Sequence, residues 1–273
     1  YSNLIDFDPA KPLVEGEDYI QITHDDRAHC RSSQGIIIGT ARANPGKYIT
    51  APEHLSDPEK AAPLSRVDQA LRSLGVDALI SIGGDDTLKT ANKFKMFQDR
   101  LPEGSKKIPV VHLPKTIDND IVPIKQSLGA WSAAEQASVF AQNVIGEHRS
   151  GPRMLIVHEV MGRACGWLTA DSARKYREWL DKQEWVPGIG LSKERWDVHA
   201  VYVPEKSVDL DAEAQRLRDV MDSVGNVNIF LSEGAGVPEI IKEIEEDQNV
   251  ALAVMIGMLF LSIAIIIAAV IVS

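Results

Sequence analysis

The sequence has few cysteines and no excess of positive charge. Only two cysteines, Cys30 and Cys165, occur in 273 residues, and they lie far apart without CxxC spacing. This argues against a disulfide framework or a zinc site and indicates a reducing compartment. Lysine and arginine total 29 against 39 acidic residues, giving a formal net charge of −10. Such a balance argues against a nucleic-acid partner, which would favour a basic face.

Charge is also missing from a long segment near the end of the chain. Residues 250–272 contain no charged side chain, whereas the chain start at Tyr1 shows no basic and apolar leader, so we expect no signal peptide. A helix rising about 1.5 Å per residue would extend roughly 35 Å over 250–272, enough to cross a ~30 Å hydrocarbon core. A buried core helix or strand pair is the alternative, but soluble helices usually show a polar stripe. We therefore predict a membrane-spanning tail.

Strands and helices alternate along the middle of the chain. Apolar runs predict strands at residues 35–39, 76–82, 108–113, 154–160, 198–203 and 227–232. Amphipathic periodicity predicts helices at 65–74 (capped by Ser65), 130–145, 168–180, 212–224 and 238–246, and one ending near Leu101. This order predicts an α/β fold, an open and mostly parallel sheet with helices on both faces, plus a C-terminal apolar helix. His112 and His158 fall within apolar strands and are interpreted as core residues.

Two short polar strings follow predicted strands. GGDDT occupies Gly83–Thr87 and PKTIDND occupies Pro114–Asp120. Because the carboxyl ends of parallel strands form the edge where such folds bind ligands, we expect both strings at that edge. Together they supply acids, a lysine, a threonine and a glycine pair. That inventory suits phosphoryl transfer, which needs a metal, a polyphosphate and a base.

In the first string, Gly83 and Gly84 permit a tight turn and close backbone approach to phosphate oxygens where the next helix begins. Asp85 is then placed to hold Mg²⁺, which prefers one or two carboxylates together with substrate phosphates. An aspartate that simply caps a helix after a glycine turn is the alternative, and NAD kinases and lipid kinases also carry a Gly-Gly-Asp loop. The second string distinguishes the present chain from these alternatives.

In the second string, Asp118 is the best candidate for a general base that accepts the proton of an attacking sugar hydroxyl. Asp120 lies two residues further on, where it is suited to orient neighbouring groups or to contribute to the metal field. Thr116 offers a hydroxyl to the sugar or to its phosphate. The structural alternative is an acidic turn formed around Asn119.

With three further motifs, the chain resembles the phosphofructokinase family over about 35–246. GTAR at 39–42 is similar to the family's nucleotide or diphosphate loop, MGR at 161–163 to its sugar-phosphate contact, and SEGAG at 232–236 to its sugar-hydroxyl contact. The resemblance implies substrate-binding roles for Thr116, Ile117, Asp118, Asp120, Met161, Gly162, Arg163 and Glu233. It implies diphosphate-binding roles for Gly83, Gly84, Asp86, Lys115 and Arg42.

At positions 86 and 115 the chain resembles the diphosphate-dependent subfamily, because ATP-dependent members usually carry glycine at both positions and this chain carries Asp86 and Lys115. Asp86 takes space and adds negative charge where the α-phosphate of ATP would lie, and Lys115 adds a cation suited to diphosphate. The resemblance implies Mg²⁺-dependent transfer from diphosphate to the 1-hydroxyl of fructose 6-phosphate. Asp118, Lys115 and Asp86 would be catalytic, and Asp85 would serve the metal. An ATP-dependent sugar-phosphate kinase is the alternative.

The sequence also departs from the family pattern. No glycine-rich phosphate loop precedes Gly35, and after SEGAG the chain runs into KEIEEDQN and the apolar tail. We therefore expect the first βα unit and the C-terminal part to be missing, and an inactive or chimeric membrane-tethered relative is the second hypothesis. The predicted organisation is an irregular segment at 1–34, a cytoplasmic α/β region at 35–249 and an anchoring helix at 250–272. The resemblance implies a homo-oligomer.

Overall fold

The computed structural model describes residues 2–30 and 39–235. Among these residues the chain divides into two compact units, the first running to Lys115 and the second starting at Thr116. The strand predicted at 35–39 falls almost wholly outside the described residues, as do the helix predicted at 238–246 and the apolar segment 250–272. No helix within 2–30 and 39–235 has the length and apolar character needed to cross a bilayer.

The first unit contains three helices and a parallel strand pair. Its elements are helices α1 (His24–Cys30), α2 (Pro58–Ser73) and α3 (Asp85–Gln98), strands β1 (Leu79–Gly83) and β2 (Val110–Thr116), and 3₁₀ turns at Ser2–Leu4 and Pro52–Ser56. Of the residues in these elements, Thr116 at the end of β2 is the one that belongs to the second unit. β1 and β2 are parallel, with Gly83 opposite Pro114. Gly83 and Pro114, the first residues of the two strings, therefore lie at the same end of the pair, as predicted, and β2 continues through the first three residues of PKTIDND to Thr116.

Helix α2 starts seven residues earlier than the sequence analysis predicted. The Asp57 side chain accepts hydrogen bonds from the backbone N–H groups of Glu59 and Lys60, and Pro58 stands at the first helical position. Aspartate as N-cap followed by proline is a strong start signal, because the carboxylate satisfies N–H groups that have no partner inside the helix. The prediction that Ser65 caps this helix was wrong, and Ser65 lies in mid-helix.

The core of the first unit lies on one face of its strand pair. Leu64, Val67 and Leu71 of α2 pack with Phe94 of α3 and with Ile108, and Leu79 and Val110 contact this cluster from the strands. The alternating side chains Ile80, Ile82, Val111 and Leu113 are 41–63% exposed. In this unit, the described helices therefore cover one face of the strands, and the prediction of helices on both faces is met only in the second unit.

The second unit contains a three-stranded parallel sheet, formed by the last three strands that the structure describes, with helices on both faces. Its elements are strands β3 (Leu128–Gly129), β4 (Met154–Val160), β5 (Ala200–Tyr202) and β6 (Asn226–Ser232), helices α4 (Ala130–His148), α5 (Trp167–Leu180) and α6 (Leu210–Val224), and 3₁₀ turns at Pro187–Ile189 and Lys193–Arg195. The sheet has the order β4-β6-β5. The strand predicted at 154–160 is confirmed to the residue.

Strand β6 forms the centre of this sheet and is buried on both faces. On one face Phe230 packs with Ile156 and with Tyr176 of α5. On the other face Ile229 packs with Leu217 of α6, so the sheet is enclosed as expected for parallel strands. The described strands nevertheless form two sheets, which corrects the prediction of a single sheet. Because β4 and β6 pair with Val160 opposite Ser232, the segments that follow them emerge side by side.

Candidate active site

The turn that follows β2 holds Asp118 in the second unit. The backbone N–H of Asp118 donates to the hydroxyl oxygen of Thr116 at 3.2 Å. The Asp118 carboxylate is partly buried, and its Oδ1 atom has no hydrogen-bond partner among the described residues. A buried carboxylate oxygen without a donor is costly unless a ligand satisfies it. The arrangement therefore suits a group that accepts a proton from a bound molecule.

The electrostatic surroundings of Asp118 bring four predicted site residues together. Burial is the main cause that raises the pKa of Asp118 above its ordinary value, and the negative charges of Asp120 and Glu233 raise it further. The positive charge of Arg163 acts in the opposite direction. A raised pKa strengthens a carboxylate as a base, provided the pH keeps it ionised. The four side chains thus share one electrostatic environment in the second unit.

The segments after β4 and β6 hold Arg163 and Glu233. The backbone N–H of Glu233 donates to the Val160 carbonyl at 3.0 Å, which continues the sheet register by one residue. The side chain of Arg163 is 93% exposed, and its Nε atom lies 3.9 Å from Oε1 of Glu233. Glu233 itself is 18% exposed. An exposed guanidinium anchored at its base by a carboxylate has donors free for a phosphate.

A glycine makes this close approach of the two loops feasible. Gly162 has φ +124°, which favours glycine, and a Cβ there would lie 2.4 Å from the Cys165 carbonyl oxygen. Ser232, which is buried, donates its hydroxyl hydrogen to the Gly162 carbonyl at 2.8 Å. The MGR loop is therefore held at its first turn by a side chain from β6.

The other predicted sugar contacts differ in the polar groups that they present, since some have a side-chain donor and others have only backbone atoms. Thr116 uses its hydroxyl oxygen as an acceptor for Asp118 and keeps its O–H as a donor. Ile117 and Met161 pack, partly buried, against the core cluster of the second unit. Their side chains thus support the loops, and any polar contact they make with a ligand comes from the backbone. Gly162 likewise offers only its backbone.

The GGDDT string lies where the sequence analysis placed it, at the junction of β1 and α3. Gly83 ends the strand, Gly84 is the N-cap of the helix, and Asp85 and Asp86 form its first turn. A Cβ on Gly83 would lie 2.4 Å from the Thr87 hydroxyl oxygen, so the turn has no room for a side chain. Free N–H groups at a helix start are suited to bind phosphate oxygens.

Asp85 is the only predicted metal residue, and it forms an ion pair with Lys89 one turn along the helix. Its side chain is 46% exposed. Within residues 2–30 and 39–235, no group of three or more histidine, cysteine or acidic side chains is arranged to hold a metal. This donor set fits Mg²⁺ only in the mode where substrate phosphates and water supply the remaining ligands.

The remaining diphosphate residues are solvent-facing. Asp86 and Lys115 are exposed, the first on α3 and the second on β2, and Arg42 is exposed in the irregular segment after Gly39. The hydroxyl of Thr90 bonds the Asp86 carbonyl at 2.9 Å, which ties the first turn of α3 to the next. The structure brings the GGDDT residues together in the first unit, and Arg42 stands apart from them in sequence.

Three residues that matter to the site were missed in the sequence analysis or read only as turn formers. Asn119 and Ser127 bond each other across the PKTIDND turn, and Ser232 bonds the MGR loop. Asparagine in a polar turn could have predicted a left-handed backbone at Asn119, because asparagine tolerates positive φ. The serines gave no signal, since their partners lie 8 and 70 residues away.

Comparisons with known proteins agree with the resemblance to a family. The profile of the phosphofructokinase family matches residues 10–259. The chain therefore belongs to the phosphofructokinase family. The pyrophosphate–fructose 6-phosphate 1-phosphotransferase of Propionibacterium freudenreichii subsp. shermanii is 56% identical over 189 residues, which is 69% of this chain and 45% of that relative. The ATP-dependent 6-phosphofructokinase 3 of Streptomyces coelicolor is 31% identical over 194 residues, 71% of this chain and 45% of that relative.

A comparison with solved structures finds a match in fold. The structure of phosphofructokinase from Saccharomyces cerevisiae matches with a TM-score of 0.64 at 23% identity, covering 89% of this chain and 32% of that one. At this identity the match shows the fold alone. The chain spans somewhat under half the length of the curated relatives it matches, 45% in the case of the Propionibacterium protein.

Proposed function

We propose that this chain carries the phosphoryl-transfer residues of a diphosphate-dependent 6-phosphofructokinase. The reaction moves a phosphoryl group from diphosphate to the 1-hydroxyl of fructose 6-phosphate, giving fructose 1,6-bisphosphate in glycolysis. The observation that carries the proposal is the Asp118 carboxylate, which has one buried oxygen without a partner and shares its surroundings with Arg163 and Glu233. These are the groups that a base, a phosphate contact and a sugar-hydroxyl contact require.

Proton transfer is the role of Asp118. The 1-hydroxyl oxygen of the sugar attacks the terminal phosphorus of diphosphate, the bridging P–O bond breaks, and inorganic phosphate leaves. The hydroxyl proton passes to the unpartnered oxygen of Asp118. Burial and the neighbouring carboxylates raise the proton affinity of Asp118, which favours this transfer. Because the reaction is reversible, the protonated Asp118 returns the proton in the opposite direction.

Sugar binding follows from the other groups of the second unit. The exposed Arg163 guanidinium suits a bidentate contact with the 6-phosphate, and Glu233 accepts hydrogen bonds from sugar hydroxyls. Thr116 donates its O–H, and Asp120 orients neighbouring groups. Ile117, Met161 and Gly162 contribute backbone atoms.

Diphosphate binding follows from the residues of the first unit. Gly83 and Gly84 lead into the free N–H groups of α3, and Arg42 and Lys115 add exposed cations. Asp85 would hold Mg²⁺ through water and phosphate oxygens, and the metal would neutralise charge on the transferred group. Lys115 stabilises the leaving phosphate, and Asp86 occupies the space that a larger nucleotide needs.

Identity supports the choice of donor. The matched relative named for pyrophosphate is 56% identical, whereas the one named ATP-dependent is 31% identical. Asp86 and Lys115 give the physical reason, since a carboxylate repels the α-phosphate of ATP and a lysine favours the compact charge of diphosphate. Family resemblance also supports a cytoplasmic homo-oligomer.

The test is turnover of the purified full chain with fructose 6-phosphate and either diphosphate or ATP, in the presence of Mg²⁺. We expect fructose 1,6-bisphosphate with diphosphate alone, and loss of turnover in Asp118→Asn. Product formed with ATP alone would contradict the donor assignment. No product with either donor, beside an active full-length relative assayed in parallel, would favour the hypothesis of an inactive relative.

The apolar segment 250–272 carries a separate proposal, based on its sequence alone: it anchors the chain in a membrane. After carbonate washing of membranes, the full chain should stay in the pellet, and a chain ending at Gln248 should not. A full chain that stays dissolved and monodisperse without detergent would show that the segment packs elsewhere.

A further inference from the structure

Asn119 has a backbone conformation that few residues tolerate. Its φ is +56°, and it is the only non-glycine residue with positive φ within the described residues. The left-handed region is unfavourable for an ordinary L-residue, and asparagine is among those that enter it most readily. Asn119 stands between Asp118 and Asp120, so the turn that displays both carboxylates depends on this conformation.

The Asn119 side chain fastens this turn to the segment that returns from it. Its Nδ2 atom donates to the Lys125 carbonyl at 3.1 Å, and its Oδ1 atom accepts from the backbone N–H of Ser127 at 2.8 Å. The Ser127 hydroxyl lies 2.5 Å from the Thr116 carbonyl, to which it donates. Ser127 is 3% exposed, so its two bonds are partly shielded from water, whereas the bond from Asn119 to Lys125 is exposed.

The three hydrogen bonds enclose Asp118 on both sides. Ser127 fixes the Thr116 carbonyl two residues before Asp118, and Asn119 is fixed immediately after it. The Asp118 N–H is itself bonded to the Thr116 hydroxyl oxygen. Hydrogen bonds therefore hold the Thr116 carbonyl, the Asp118 N–H and the Asn119 side chain, whereas the Oδ1 atom of Asp118 stays without a partner among the described residues.

We propose that Asn119 and Ser127 are positioning residues, which hold the Asp118 carboxylate in the orientation needed for proton transfer. The proposal rests on the proposed function, in which Asp118 is the base. A base works only within hydrogen-bond reach of its proton, and a displacement of about 1 Å can cost on the order of 100-fold in rate. Asn119 and Ser127 need not touch either substrate to have this effect.

Two variants test the positioning. Asn119→Gly keeps the left-handed backbone without steric cost but removes the bonds to Lys125 and Ser127. Ser127→Ala removes the bond to the Thr116 carbonyl. Ser172→Ala is the matched control, because Ser172 is a buried serine of the same unit whose hydroxyl donates to the Leu168 carbonyl at 2.7 Å, within α5.

Steady-state kinetics should separate positioning from binding. We expect kcat to fall between about tenfold and 100-fold in both variants. KM for fructose 6-phosphate and for diphosphate should stay within about twofold, and Ser172→Ala should match the wild type. Unchanged kcat, or a raised KM at constant kcat, would overturn the proposal.

A measurement that needs no turnover distinguishes this proposal from the proposed function. The Asp118 carboxyl can be titrated by ¹³C NMR, with its signal assigned by its loss in Asp118→Asn. The charged groups that face it are Asp120, Glu233 and Arg163, and none of them is altered in the variants. We expect the pKa of Asp118 to fall towards its ordinary value in Asn119→Gly and Ser127→Ala but not in Ser172→Ala.

If the wild type shows no turnover, the proposed function fails while this titration still decides the positioning. An unchanged titration in both variants would overturn it.

Discussion

Gly234 lies directly against the backbone of Arg163: a Cβ built on Gly234 would stand 1.6 Å from the Arg163 carbonyl oxygen. No side chain can occupy that space without moving one of the two loops. The contact joins the segment after β6 to the segment after β4, and it keeps Glu233 beside Arg163. The pair of groups proposed to bind the sugar phosphate is thus set by a backbone contact.

Replacing Gly234 by alanine should displace the Arg163 loop. We expect the affinity for fructose 6-phosphate to fall at least about tenfold, with a loss of stability of about 1–3 kcal/mol from overpacking. Calorimetric titration and urea unfolding measure the two effects. Gly188→Ala is the control, since a Cβ on Gly188 meets nothing within 4 Å. An affinity within twofold of the wild type would show that the loop adapts.

Replacing Gly83 by alanine should disturb the junction of β1 and α3. A Cβ on Gly83 would lie 2.4 Å from the hydroxyl oxygen and 2.7 Å from the Cβ of Thr87, and neither atom can swing away freely. We expect the affinity for Mg-diphosphate to fall at least about tenfold because the first turn of α3 must shift. Fructose 6-phosphate binding measured on the same sample should be unchanged. Unaltered diphosphate affinity would argue against phosphate binding at this turn.

Asp118→Asn should abolish turnover and raise stability at neutral pH. The pKa of Asp118 is raised by burial, so the folded state favours the protonated form. A carboxyl with a raised folded pKa contributes stability below its unfolded pKa, and that contribution is lost as the pH rises through the folded pKa. The neutral amide avoids this loss.

Two pH series check the Asp118 prediction. Turnover of the wild type should decline as the pH is lowered, with a midpoint above 3.8, the ordinary pKa of the group. The difference in melting temperature between Asp118→Asn and wild type should be positive at pH 7 and shrink as the pH approaches 3.8. Turnover in Asp118→Asn within tenfold of the wild type would remove Asp118 as the base.

The buried strands could be predicted from sequence far better than their pairing. MLIVHEV and VNIFLS are apolar enough on both faces to favour burial in a parallel sheet, and their bounds agree within one residue. An apolar run does not specify its partner, however. The separation of β1 and β2 from the sheet β4-β6-β5 depends on contacts between distant segments, which a local pattern does not encode.

The site shows the same division between local and distant information. The junction of Gly84 with α3 was predictable because strand, glycine pair and helix start are adjacent in the chain. The proximity of Asp118 to Glu233 joins positions 115 residues apart, and only the resemblance to a family suggested it. The start of α2 was readable but missed, since Asp57 followed by Pro58 is a stronger start signal than Ser65.

His158 should make the stability of the protein fall between neutral and mildly acidic pH. It is buried on β4, as the sequence predicted, with its ring centroid 4.9 Å from that of Phe230, and its Nε2 atom has no partner among the described residues. Burial, and secondarily the charge of His148, lower the pKa of His158 from 6.5 to about 4. The unfolded chain therefore takes up a proton below pH 6.5 that the folded chain takes up only near pH 4. By linkage, the neutral His158 contributes to the free energy of unfolding above pH 6.5. This contribution is lost as the pH falls from 6.5 to 4, which lowers the free energy of unfolding by an amount on the order of 3 kcal/mol.

Urea unfolding at pH 7.5, 6 and 5 of the wild type and of His158→Leu measures this effect of His158. The leucine is apolar and does not titrate, so the free energy of unfolding should depend less steeply on pH in the variant than in the wild type. The pKa values of His112 and His199 are also lowered by burial, but both residues remain in the variant and their contributions cancel in the difference. His29→Gln, on the exposed face of α1, is the control and should follow the wild type. Parallel curves for wild type and His158→Leu would mean that His158 gains its proton equally in the folded and unfolded chains.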